Sequence, residues 1–200
     1  LVSRGGKEKG LTLEVVIPGP DEDPISLLNS GRGDLICDGW NPDEALEKWV
    51  TWTRPTNFVQ KVVVLPDDDP RPATLQGMDG LVLALPEGDP FRNELIRLRD
   101  DSDLSFFVHS AGEAARAEEL LGMVSRREIR GTVVDDVVAR AAMNVMPGLR
   151  VGPVLGERRP TVWLLRQNNP ELKLSLDGYL KRHLNVALDV LRNDEAALTY

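Results

Sequence analysis

An α/β architecture with covered, mostly parallel sheets is the fold class this sequence predicts, and three observations predict it. Short β-branched runs alternate with helical segments along the chain, the order expected of strands joined by helical crossovers. One run, Gly80 to Leu85, is continuously apolar, as in a strand buried on both faces. Cap and turn residues stand between the runs, so most elements have a chemical start and stop.

Leu11 to Ile17 reads as a strand, stopped by Pro18-Gly19-Pro20. Asp23 caps a short helix whose first position is Pro24, and Ser30 to Gly33 end it. Asp34 to Cys37 is a buried strand, and Asn41-Pro42 opens a second short helix from Asp43 to Lys48. Valine-rich Phe58 to Leu65 is a strand, followed by an acidic, proline-rich crossing at Asp67 to Pro72. After Gly80 to Leu85, Gly88-Asp89-Pro90 caps a helix from Phe91 to Arg99. Leu104 to Val108 is a strand and Ala114 to Val124 an amphipathic helix. Gly131 to Val134 is a strand, and Asp135 starts a helix to about Val145. Leu149 to Leu155 and Thr161 to Leu165 are two further strands. Leu172 to His183 and Val186 to Leu198 are two closing helices.

With 200 residues the chain suffices for one large domain or two smaller lobes, each with its own core. Its net charge of -8 argues against a nucleic-acid partner, which calls for a basic face. Asp67-Asp68-Asp69 reads as a solvated loop, because it lacks the spaced oxygen donors of a calcium loop. The single cysteine, Cys37, permits neither an internal disulfide nor a thiolate zinc cage. It reads as a buried core thiol. No stretch approaches the roughly 20 apolar residues of a membrane helix, and no signal peptide is visible. A start at Leu1 rather than Met suggests a processed or excised piece.

Leu27 to Pro55 (LLNSGRGDLICDGWNPDEALEKWVTWTRP) resembles the hallmark stretch of the family 3 extracellular solute-binding proteins through Leu28, Gly31, Asp34, Gly39, Trp52-Thr53 and Pro55. Three later pieces resemble the same family in order: Leu75-Gln76-Gly77 to Gly88, Glu119-Leu120-Leu121 to Asp135, and Trp163 to Leu172. Glu128 to Trp163 and Tyr179 to Tyr200 further resemble the non-catalytic domain of membrane-bound lytic transglycosylases of the F type. The resemblance implies a periplasmic binding protein type 2 fold. Lobe 1 would be residues 1–66 plus 160–200, without the family's usual first strand, and lobe 2 the inserted residues 70–157. The acidic, proline-rich stretch and Gly156 to Pro160 would be the two hinge strands.

The same resemblance implies ligand-binding positions. Gly39, Trp40 and Asn41 stand at the cleft end of a lobe 1 strand, where an indole stacks on a ligand ring or packs in the core. Gly88 and Asp89 form the turn that meets a ligand carboxylate in the family, yet Asp89 repels an anion and Pro90 removes an N–H donor. Asp135, with Asp136 beside it, matches the aspartate that receives a ligand amine, or else caps the following helix. Leu46 occupies the position of the family's carboxylate-binding arginine, so standard free amino acids are expected to be poor ligands. Arg54, close by in sequence, reads as pointing to solvent.

His109 and His183 have no partner at motif spacing. No Walker loop or dinucleotide fingerprint is present, so the expectation is a protein that is not an enzyme and uses no cofactor and no metal. The expected ligand is a small polar molecule, cationic or peptidoglycan-derived. The expected partner is a transporter permease, or a fused membrane or enzyme domain, in the periplasm or another extracytoplasmic space. A ligand-free interaction domain is the remaining alternative.

Overall fold

The computed structural model describes residues 14–19, 22–112 and 116–197, with side chains described up to 184. The chain divides into two compact units. Unit 1 holds residues up to Phe58 and from Arg159 onward, and unit 2 holds Val59–Arg158. The first division therefore falls within a strand, ahead of the acidic, proline-rich stretch that the sequence marks as the crossing.

Unit 2 is built on β3 (Asn57–Pro66), β4 (Val82–Leu85), β5 (Phe107–Ser110), β6 (Thr132–Asp135) and the first part of β7 (Leu149–Arg166), in the order β7-β3-β6-β4-β5. β4 runs parallel to both β5 and β6, and β3 antiparallel to β6. The valine run of β3 shows why it is central. Val63 and Leu65 join one core cluster with Phe91 and Leu95 of α2 (Phe91–Ser102). Val62 and Val64 join another with Leu121 and Val124 of α3 (Ala117–Ser125) and Ala139 and Ala142 of α4 (Asp136–Met143). Successive side chains of a strand point to opposite faces, so a continuous apolar run is covered by helices on both.

In unit 1, β1 (Leu35–Trp40) and β2 (Val50–Trp52) both pair antiparallel with the later part of β7. The helix α1 (Pro24–Asn29) packs Leu28 against Val50, Val162 and Leu164. Its ends are chemically determined. Asp23 accepts N–H bonds from Ile25 and Ser26, at 3.3 and 2.9 Å. At the other end Gly31 turns left-handed (φ 84°), and Arg32 and Gly31 donate to the carbonyls of Leu27 and Leu28 in a Schellman motif. Arg166 then donates to the carbonyls of Leu28 and Gly33 and to the Asp34 carboxylate. The Gly31 of the hallmark stretch thus ends α1, and its Asp34 helps tie the helix to β7.

The Ser26 hydroxyl and the helix N–H groups hold the Asp23 carboxyl below its ordinary pKa. A depressed carboxylate stabilises fully above its unfolded pKa, so this contribution is expected to persist above about pH 4 and fade below it. Asp23→Ala is expected to cost about 1 kcal/mol at neutral pH. Urea titrations at pH 7 and pH 3 check this: the wild-type advantage shrinks at the lower pH.

Several elements differ from the sequence reading. Glu14 to Ile17 form no strand, and Val15 and Ile17 are exposed, since no partner ladder among the described residues covers them; Leu11 to Leu13 lie outside the described residues. The segment after Pro42 is a single 3₁₀ turn, Glu44–Leu46, capped by Asp43 rather than Asn41. Leu149 to Arg166 is one unbroken strand, in which Gly156 takes a left-handed backbone (φ 66°). Pro170–Ala197 is one helix, α5, because nothing near Asn185 breaks it. Cys37 is exposed, not core. The register shift between Ile36 and Trp40 disrupts the alternation of β1 and turns Cys37, Asp38 and Gly39 outward together. Partial burial nonetheless raises the thiol pKa, which makes it a poor nucleophile. The acidic run is not simply solvated. Asp69 is nearly buried against Arg71 (2.7 Å) and Arg150 (3.6 Å), while Asp67 and Asp68 hold Arg127.

Candidate functional site

In open α/β sheets, ligands gather outside the carboxyl ends of the parallel strands. In unit 2 those ends are Leu85 of β4, Ser110 of β5 and Asp135 of β6. The antiparallel register places Lys61 of β3 opposite Asp135. Its ammonium lies 3.0 Å from Asp135 Oδ1, both side chains being under a third exposed. The same ammonium sits 5.9 Å from the centre of the Phe91 ring, a cation–π contact.

Asp136 is held more tightly. One oxygen accepts the Gln60 N–H at 3.2 Å, and the other meets Arg140 at 2.7 Å and Arg158 at 3.6 Å. Asp89 accepts the Phe91 N–H at 2.8 Å, behind the left-handed Gly88 (φ 74°). Its carboxylate is thereby engaged in starting α2. Around Phe91 and β6 the chain thus assembles three carboxylates and three cations. Such an arrangement suits a ligand bearing both charges and disfavours a simple ion of either sign.

Asp135 does not take the capping role that the sequence allowed. Its side chain makes no capping bond to α4 and is instead paired with Lys61. Sequence reasoning missed Lys61, Arg140 and Arg158. Arg140 had a signal, since it lies one helical turn after Asp136. Lys61 and Arg158 are brought in only by strand register and by β7.

In unit 1, Trp40 is half-buried against the core that contains Leu28 and Val162. Asn41 donates its side-chain amide to the Pro160 carbonyl at 2.9 Å, and exposed Gly39 stands in the irregular part of β1. Leu46 packs against the same core as Trp40. Trp49 is 56% exposed beside Lys48. His109 is exposed on β5, and His183 stacks on Tyr179 at 4.4 Å. Among the described residues no group of three or more His, Cys, Asp or Glu side chains is placed to hold a metal ion, and no helix is long and apolar enough to cross a membrane.

No family model matches the chain. Among curated proteins it is 25% identical over 171 residues to a membrane-bound lytic murein transglycosylase F of Desulfosudis oleivorans, covering 85% of this chain and 37% of that protein. The protein of the same name from Shewanella loihica is 26% identical over 177 residues, covering 88% and 36%. The chain thus spans little more than a third of the length of these relatives. Among solved structures, an ancestral arginine-binding protein bound to arginine aligns at a TM-score of 0.67 and 18% identity, over 90% of this chain and 78% of that one. An ancestral amino acid-binding protein, a precursor of cyclohexadienyl dehydratase, aligns at 0.70 and 17%, over 90% and 75%. The chain therefore has the two-lobed fold of these amino-acid-binding proteins, and over most of its length it is similar in sequence to part of the membrane-bound lytic murein transglycosylases F.

Proposed function

We propose that this chain is a non-catalytic, extracytoplasmic ligand-binding domain that works with a lytic transglycosylase. Its ligand would be a small polar cell-wall fragment, such as a murein stem peptide, held at the carboxyl ends of β4 to β6 in unit 2. The observation that carries this reading is the Lys61–Asp135 pair at 3.0 Å. A carboxylate already neutralised by the chain's own ammonium is a weak receiver for the amine of a free amino acid. Leu46, half-buried against the unit 1 core, supplies no guanidinium for the acid group of such a ligand either. A stem peptide, with charges spread along its length, fits the mixed cluster of Lys61, Asp89, Asp135, Asp136, Arg140 and Arg158 better than a compact zwitterion does. The names of the sequence relatives support the cell-wall assignment.

A transport role, delivering a solute to a permease, is supported by fold alone. The two binding proteins compared above are only 18% and 17% identical to it.

The test is a thermal-shift series on the purified chain with a disaccharide tetrapeptide and with each standard amino acid. A ligand at 100 times its Kd adds about 2.7 kcal/mol. The tetrapeptide compound is expected to raise Tm by several degrees and the amino acids by none. Clear stabilisation by a standard amino acid and none by the cell-wall fragment would favour the transport reading. Lys61→Met is expected to free Asp135 and give arginine at least threefold tighter binding, measured by calorimetry. An unchanged arginine isotherm removes Lys61 from the argument.

A further inference from the structure

Unit 1 carries a groove of about 680 Å³, within the roughly 300–1,000 Å³ typical of small-molecule sites. Val50 and Thr53, both buried, belong to its floor, and Pro42, Trp52 and Pro55 to its walls. Two cations line it. Lys173 is spent on Asp177, at 2.6 Å. Arg54, a half-buried residue, is anchored through its backbone, whose N–H donates to Asp177 at 2.7 Å, and its guanidinium makes no hydrogen bond or ion pair with a described residue. Two further polar side chains at this end are already engaged. Gln167 donates to the Glu47 carbonyl, and the Thr53 hydroxyl donates to the Arg54 carbonyl while accepting the Trp163 N–H.

The groove therefore combines an indole wall, two rigid proline walls and one unsatisfied planar cation. A guanidinium fork is matched by a carboxylate, which it binds bidentately. An indole wall is matched by the apolar face of a ring. We propose that this groove is a second binding site, for a sugar that carries a carboxylate beside its ring, with Arg54 clamping the carboxylate and Trp52 contacting the ring. The nearby Asp177 and Glu47 disfavour multiply charged anions, so a single carboxylate is the expected charge. The proposal concerns unit 1 alone and stands whether or not unit 2 binds a cell-wall fragment.

The test is calorimetric titration of the purified chain with N-acetylmuramic acid, glucuronic acid and N-acetylglucosamine. The two acids are expected to bind at least tenfold more tightly than the neutral sugar. The stronger of the two identifies whether a lactyl ether or a ring carboxylate is preferred. Arg54→Gln keeps the backbone bond to Asp177 and is expected to leave Tm within a degree of wild type. It should weaken the acids at least tenfold and leave N-acetylglucosamine unchanged, with Arg54→Lys intermediate. Equal binding of acid and neutral sugar, no binding of any, or an unaffected Arg54→Gln variant overturns the proposal. So does loss of acid binding in Lys61→Met with retention in Arg54→Gln, which would assign the binding to unit 2. Loss of stem-peptide binding alone would leave this groove untouched.

Discussion

Gly77→Ala is expected to destabilise the protein by about 3 kcal/mol, which for a chain of this size lowers Tm by roughly 6–12 °C. A Cβ at this position would lie 2.0 Å from the Pro72 carbonyl oxygen and 3.1 Å from its carbon. Both are backbone atoms, so no side-chain rotation relieves the clash. Pro72 is itself restrained, because Arg150 grips the preceding turn through the carbonyls of Asp69 and Arg71. Alanine would otherwise favour the 3₁₀ turn Leu75–Met78, since Gly77 is buried and has no left-handed backbone to protect. The steric collision outweighs that gain of up to about 1 kcal/mol. Urea denaturation followed by circular dichroism reads the effect. An unchanged midpoint would mean that the Pro72 segment swings aside freely.

The second large effect lies beside it. Leu65 is fully buried, and its two methyl groups occupy space left by two glycines. A Cβ at Gly131 would meet Leu65 Cδ2 at 2.8 Å, and one at Gly152 would meet Cδ1 at 3.1 Å. Leu65→Ala is expected to cost about 3 kcal/mol through lost burial and the remaining cavity. Gly131→Ala is expected to cost about 2 kcal/mol by overpacking. Together they should cost at least about 1 kcal/mol less than the sum, because the alanine methyl enters the space that Leu65 vacates. Full rescue is not expected, since the Val64 carbonyl oxygen also lies 3.0 Å from that methyl. Strict additivity in a denaturation cycle would remove the glycines from this account.

These glycines illustrate what is legible in a sequence. The apolar runs of β3 and β4 identify buried strands because burial on both faces demands an unbroken apolar run. Asp23, Pro24 and Gly31 identify α1 because capping is chemistry between residues a few positions apart. Glu14 to Ile17 close a run with the composition of a strand, but strand formation needs a neighbouring ladder, which no local signal records. Cys37 misleads for a related reason: a register shift in pairing with β7 moves it to the outside. Lys61 joins Asp135 only through an antiparallel register between distant segments, and Arg158 reaches Asp136 only because β7 runs on without a break. The carboxylates of the candidate site were therefore readable, and their cations were not, apart from Arg140 at helical spacing.

The unbroken course of β7 also sets an order on biosynthesis. Val59–Arg158 is contiguous, so unit 2 is complete as soon as its own residues leave the ribosome. Unit 1 is not, since β1 and β2 both find their ladder partner in the last part of β7. At about 5–20 residues per second, Leu35 waits roughly 6–26 s for Leu165 to be made. Throughout that interval the apolar residues of α1, β1 and β2 lack their covering strand, while the later unit folds ahead of them. Unit 1 is then the part whose apolar surface stays uncovered longest in the nascent chain, and residues 59–158 are the segment to express first as an autonomous fragment.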